Sequence, residues 1–330
     1  MKILHIHSSD NDHQFYNNYM NDLLLHGLRD LYGNDIVDYP GCWYLYDDEI
    51  KKRQYDEKRF WGKGFTIKNI LRNFNSIDRE NIGQKIRNKY FDLIIYGSIR
   101  RSDLFLEDVI KYNNKFLFID GEDDNYIETK YSNLGLYFKR ELLAKHPKIR
   151  PISFAIPKSK ILEKIDYNPK NILAPLIPGK LNTYIYDNES LYYEMYKKSI
   201  FALTYKKAGW DCLRHYEILM NGCIPLFLDI ENCPINTVST LPKEQLINYL
   251  NNFNKIFSFF NPFKIFKKKY LTFQRIFSFL KFNYKKNNLE KFIQENGEVF
   301  EIKKNLLDFT KKNLTTEMLA KYTLNCFKGQ

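Results

Sequence analysis

Arg214 and Glu217 stand three residues apart in the run Gly209-Trp-Asp-Cys-Leu-Arg-His-Tyr-Glu217. On a helix that spacing puts a guanidinium and a carboxylate on one face. Asp211 occupies an expected capping position, where a carboxylate accepts from free backbone N–H groups. A helix over 211–220, a stop at Asn221-Gly222 and a buried strand over 224–228 complete the segment, with Gly222 suited to the left-handed residue that ends a helix. A helix start carrying a cation, a carboxylate and open N–H donors suits a nucleotide diphosphate. Amides and guanidinium take phosphate, and the carboxylate takes ribose hydroxyls. Lys206 or Lys207, in the loop just before Trp210, could reach a phosphate. On an ordinary helix an Arg–Glu pair at this spacing is a solvated surface pair. Trp210, Cys212, Tyr216 and the apolar strand behind them set this segment apart.

The run Arg214-His-Tyr-Glu217, followed by Asn221-Gly-Cys-Ile-Pro225, resembles the nucleotide-sugar-binding helix of GT-B glycosyltransferases, in particular the exostosin-like and capsule-type branch. The likeness is specific over about 192–243 and architectural elsewhere. It implies an α/β chain of two Rossmann-like domains with parallel sheets facing across a cleft. It also implies transfer of a sugar from a nucleotide-diphosphate donor, without a further cofactor or a metal. By the same likeness Glu217 holds the donor ribose and Arg214 the diphosphate; Lys206, Trp210 and Asp211 are expected beside them from their place in the segment. The residue seven before Glu217 is Trp210 rather than the second glutamate of the retaining branch, which favours inversion.

An inverting transferase needs a general base for the acceptor hydroxyl. In open parallel sheets ligands lie at the carboxyl ends of strands. Three polar clusters fall at such places: residues 7–13, Gly97-Ser-Ile-Arg-Arg101 and Asp120-Gly-Glu-Asp-Asp124. Asp10, His13, Asp120 and Glu122 are the candidates for the base by location. Asp123 and Asp124 read as capping and turn residues. A Walker loop and a G-x-G-x-x-G run are both absent from the sequence, which argues against a nucleoside triphosphatase or a dehydrogenase.

The chain has 330 residues, 44% of them hydrophobic and 16% aromatic, enough for two cores and too apolar for disorder. Its five cysteines are scattered, without C-x-x-C spacing. Neither a zinc framework nor disulfides are expected, and reduced thiols in a cytoplasmic setting fit better. No run approaches the ~18 apolar residues of a membrane span. The formal net charge is +12, yet residues 245–289 alone hold nine Lys or Arg and no acid. A local basic patch implies a local partner. Segment 253–286 interleaves Phe with Lys, so it either packs on the protein with its lysines wet or lies on an anionic membrane surface. The acceptor suggested is a hydroxyl of a bacterial surface glycan or lipid-linked oligosaccharide. A nucleic-acid-binding protein is the alternative that charge alone raises, though the clustering of the charge and the lack of a binding module speak against a nucleic-acid partner. A catalytically inactive glycan-binding relative of the fold is a further alternative.

The elements that must position these residues alternate in type. Strands are expected at 3–6, 35–38, 91–96 and 115–119, with helices at 15–32, 79–89 and 104–112 and an irregular region at 44–76. This makes residues 1–150 an N-terminal acceptor domain. A proline-broken linker covers 145–169. The donor domain is expected over 151–305, with strands at 170–173, 183–186 and 200–204 and helices at 190–198 and 242–251. Helices at 289–295 and 306–326 close the chain, and segment 306–330 is expected to pack back on the first domain.

Overall fold

The computed structural model describes residues 1–7, 18–57, 60–256 and 286–329. The candidates Asp10 and His13, and nearly all of the Phe/Lys-rich segment 253–286, lie outside them. The chain is α/β with two parallel sheets of Rossmann-like style. The larger has six strands in the order β2-β1-β3-β4-β5-β6: β1 Ile3–Ile6, β2 Ile36–Tyr39, β3 Leu93–Tyr96, β4 Phe116–Asp120, β5 Leu136–Lys139 and β6 Ile149–Pro151. The smaller is β7 Asn171–Leu173, β8 Ser199–Thr204 and β9 Ile224–Phe227, in chain order. Every pairing within both sheets is parallel. Strands covered on both faces read as unbroken apolar runs, as Leu93-Ile-Ile-Tyr96 and Ser199-Ile-Phe-Ala-Leu-Thr204 do, and both are buried throughout.

The strand order reverses at β1. The chain runs from β1 to β2 on one side, then returns to place β3 on the other. Beside that switch point the helix Tyr19–Tyr32 lies with most of its length buried. Among the described residues, no helix is long and apolar enough to cross a membrane.

Some expected elements differ. β5 and β6 were not anticipated, and β6 falls inside the stretch read as linker. It is an edge strand, where Pro151 costs no ladder bond. The strand expected at 183–186 is absent: the chain forms a one-turn helix at Leu181–Thr183. Thr183 is occupied locally there, its Oγ1 accepting from Ile177 N at 3.0 Å and lying 2.7 Å from Lys180 O. Side-chain bonding of this kind competes with a sheet ladder. The helix expected over 306–326 is two helices, Glu298–Asn313 and Thr316–Lys328. Thr315 caps the second, accepting from Met318 N at 3.3 Å. The break also frees backbone for Ile156, whose N–H donates to Leu314 O at 2.8 Å while its carbonyl accepts from Thr316 N at 3.0 Å.

The last two helices tie the chain together. Glu298–Asn313 packs on the helix Leu213–Met220 and on β9. Thr316–Lys328 crosses to the helix Tyr19–Tyr32, and the two approach so closely at Gly27 that a Cβ there would meet Thr316 O at 1.9 Å. His26 Nδ1, one residue away, lies 2.9 Å from the Thr316 hydroxyl.

Candidate functional site

The helix bearing Arg214 and Glu217 runs from Leu213 to Met220 between β8 and β9. Gly222 takes φ +65° just past its end, as its position required. The helix starts two residues later than expected. Cys212, not Asp211, is its N-cap, and it makes no side-chain cap bond. Asp211 points elsewhere: its carboxylate accepts from Phe154 N–H at 2.9 Å and from the Tyr216 hydroxyl at 2.9 Å. Burial pushes its carboxyl up to about 7, against the pull of the Arg140 guanidinium and of the Phe154 N–H.

The backbone donors ahead of the helix are also not open. Glu141, just after β5, accepts from Trp210 N–H and Asp211 N–H at 2.9 Å each. Gly209 makes this possible, since a Cβ there would stand 2.5 Å from Glu141 Oε1. Arg140, beside Glu141, donates to the Asp211 carbonyl, to the Asp123 carboxylate and, at 2.9 Å, to Gly121 O. Residues at the carboxyl end of β5 therefore grip the loop at the carboxyl end of β8. An internal carboxylate thus takes the two amides just ahead of the helix.

Arg214 and Glu217 lie at a contact between the two halves of the chain. Glu217 is 9% exposed. Its Oε1 accepts from the Thr66 hydroxyl and its Oε2 from the Tyr192 hydroxyl at 2.7 Å. Thr66 Oγ1 is 3.0 Å from the Tyr193 hydroxyl. With its own hydrogen given to Glu217, Thr66 accepts from Tyr193. By the same reasoning the Tyr196 hydroxyl, 3.3 Å away, donates to Tyr192. Burial raises the Glu217 carboxyl above its ordinary value, and the Thr66 and Tyr192 hydroxyls hold part of that rise back. Arg214 Nη2 donates to the Tyr184 hydroxyl at 3.3 Å, while Nη1 is buried with no acceptor. Among the described residues no carboxylate is ion-paired with Arg214. The helix thus presents a guanidinium with one unpartnered nitrogen and a carboxylate that takes hydroxyl donors, in a shell of tyrosines.

The Thr66 side of this contact comes from the irregular region 44–76. Phe65 packs on Tyr192 with ring centroids 5.5 Å apart. Lys63 Nζ donates to the Asp187 carboxylate at 2.6 Å and to Tyr186 O at 3.0 Å. Lys206 is exposed, its Nζ 5.1 Å from the Trp210 ring centroid.

Asp120 and Glu122 are both engaged. Asp120 is fully buried at the end of β4 and accepts from Lys139 Nζ at 2.9 Å, from the Tyr137 hydroxyl at 2.6 Å and from Glu122 N–H at 3.1 Å. Glu122 takes both Arg101 Nε at 2.6 Å and Arg101 Nη2 at 2.9 Å. Arg100 pairs with Asp124 at 2.6 Å. The second and third polar clusters of the sequence are therefore partners of one another. Through Arg140 and Asp123 they reach the Asp211 loop.

Sequence reasoning missed Thr66, Arg140 and Glu141. The consecutive charges Lys139-Arg140-Glu141 follow a short apolar run, Leu136-Tyr-Phe138. Charged residues directly after a buried strand were the available signal. Thr66 carried none. Comparison with protein-family models, curated proteins and solved structures gave no match to this chain.

Proposed function

We propose that the protein is a GT-B-type glycosyltransferase that takes a sugar from a nucleotide-diphosphate donor and passes it to a hydroxyl of a glycan or lipid-linked acceptor. One observation carries this reading. Arg214 and Glu217 project together into a buried, tyrosine-lined contact between the halves, with Arg214 Nη1 lacking any acceptor. A buried cationic donor without a partner is costly, and a diphosphate oxygen completes it. Glu217 already accepts two hydroxyl hydrogens, from Thr66 and Tyr192. A ribose diol offers the same two donors and exchanges with them. The joining of strand carboxyl ends through Arg140 and Glu141 supports a two-sheet arrangement of this class.

The engagement of Asp120 and Glu122 in ion pairs favours a second reading, a binding relative that does no transfer. The two are separated by one experiment. Thermal shift and calorimetry with UDP-, GDP- and CMP-sugars on the full chain should show one class raising the melting temperature. Arg214→Ala and Glu217→Ala should each weaken that ligand by roughly tenfold or more, since each loses a charged hydrogen-bonding partner. Unchanged affinity in both variants refutes the reading. Binding without release of free nucleoside diphosphate selects the non-catalytic relative.

A further inference from the structure

A second polar cluster lies in the first sheet, at the switch point. His7 follows β1, Asp22 sits in the helix Tyr19–Tyr32, and Cys42 and Tyr44 come shortly after β2. All four are buried. Ligand atoms of His7, Asp22 and Cys42 lie within 4.8 Å of one another. His7 Nε2 is 3.1 Å from Asp22 Oδ1, and Cys42 Sγ is 3.8 Å from the same oxygen. The Tyr44 hydroxyl is 2.6 Å from Asp22 Oδ1 and 3.1 Å from His7 Nε2. We propose that His7, Asp22 and Cys42 bind a divalent transition-metal ion of the zinc class, with the Tyr44 hydroxyl at the fourth corner.

Three arguments support it. The first is spacing. Tetrahedral zinc with bonds of about 2.0 Å to N and O and about 2.3 Å to S needs its donors roughly 3.3–3.5 Å apart. The contacts to Asp22 Oδ1 run from 2.6 to 3.8 Å, on both sides of that range, and the three ligand atoms all lie within 4.8 Å of one another, so the donors must shift modestly to close on an ion. The second is charge. Asp22 is fully buried, and among the described residues no lysine or arginine pairs with it. A dication with the Asp22 carboxylate, a Cys42 thiolate and a neutral imidazole sums to zero, which is the condition for burying such a group. The third is an orphan. Asn21 Nδ2 also donates to Asp22 Oδ1 at 3.1 Å, so a knot of five hydrogen-bonded side chains has similar spacings, but it leaves Asp22 Oδ2 buried with no partner. A cation gives that carboxylate the counter-charge the knot lacks.

The donor set also fixes the class of ion. One sulfur, one imidazole nitrogen and one carboxylate suit zinc or cobalt, whereas magnesium and calcium prefer all-oxygen shells. The sequence could not announce the site, because its ligands stand 15 and 20 residues apart along the chain, far from any short metal motif. Gly97, just past β3, makes room for Asn21, whose Oδ1 would lie 1.8 Å from a Cβ there. The site is independent of the sugar-transfer reading.

The test uses the full chain, stripped by chelator and titrated with cobalt(II). The expected result is saturation at one ion per chain, with tetrahedral ligand-field bands and a thiolate-to-cobalt absorption in the near ultraviolet. Binding should release a proton as the Cys42 thiol ionises, and zinc should raise the melting temperature. Cys42→Ser should abolish the thiolate band, Cys326→Ala should leave it, and Asp22→Asn should weaken cobalt at least tenfold. Absence of the thiolate band in the unaltered chain overturns the site, and needs no variant to fold. Survival of the band in Cys42→Ser assigns it to another cysteine and equally overturns it.

Discussion

The Glu141 carboxylate accepts the backbone N–H of Asp211 at 2.9 Å, joining the end of β5 in the large sheet to the loop that leads into the Arg214–Glu217 helix. The second oxygen takes Trp210 N–H at 2.9 Å, and Glu141 is itself buried. Hydrogen bonds to a buried charged acceptor contribute about 1.5–3 kcal/mol each. Glu141→Ala strands both amides and should lower unfolding free energy by roughly 3 kcal/mol or more. Urea denaturation measures this. A cost below about 1 kcal/mol means the clamp contributes little.

Gly27 faces Thr316 across the helix pair that anchors the C-terminus, and a methyl group there would lie 1.9 Å from Thr316 O. Backbone cannot yield as a flexible side chain does. Gly27→Ala has better helix propensity and should nonetheless destabilise by roughly 1–3 kcal/mol, the range for overpacking. It should also increase proteolysis within Thr316–Lys328. A variant as stable as the parent shows that the helices can separate freely.

These relationships mark what the sequence could reveal. Apolar runs such as Leu93–Tyr96 and Ser199–Thr204 fixed the central strands, because burial on both faces leaves an unbroken pattern. Arg214 and Glu217 were legible because helix spacing alone makes them neighbours. Asp211 was misread: a carboxylate at a helix start satisfies the capping rule, but the buried Phe154 N–H and Tyr216 hydroxyl compete for it and win. Thr66, 151 residues from Glu217, meets it only through tertiary packing that no local rule encodes. The cluster of His7, Asp22 and Cys42 was hidden for the same reason.

His5, His26 and His215 make stability fall in acid. Burial lowers them to about 3, about 4 and about 3, respectively. Unfolded histidine titrates near ~6.5. Between those values the unfolded chain binds protons that the native chain does not, so stability is complete above about 6.5 and is lost as the pH falls. Denaturant midpoints should therefore drop between pH 7 and pH 5. His5 is fully buried with neither ring nitrogen bonded. Removing an orphan polar group is neutral or stabilising, so His5→Leu should gain up to about 1 kcal/mol at pH 7 and flatten the acid limb. A loss of stability in that variant contradicts the argument.

Asp211 runs in the opposite sense. Its carboxyl is held near 7 by burial, well above the ordinary value of about 3.9. A raised pKa means the native chain keeps a proton that the unfolded chain releases. The contribution to stability is therefore full below about 4 and is lost as the pH rises towards 7, with a slope approaching 1.4 kcal/mol per pH unit. Asp211→Asn carries no titrating proton, and its amide oxygen can still accept from Phe154 N–H or from the Tyr216 hydroxyl. The variant should consequently gain on the parent as pH climbs from 4 to 7, and the difference should level off above 7. Paired urea titrations at half-unit steps give that difference directly, with the histidines cancelling between the two chains. A difference that stays flat across the range means the Asp211 carboxylate is ionised throughout, its charge fully balanced by the Arg140 guanidinium beside it.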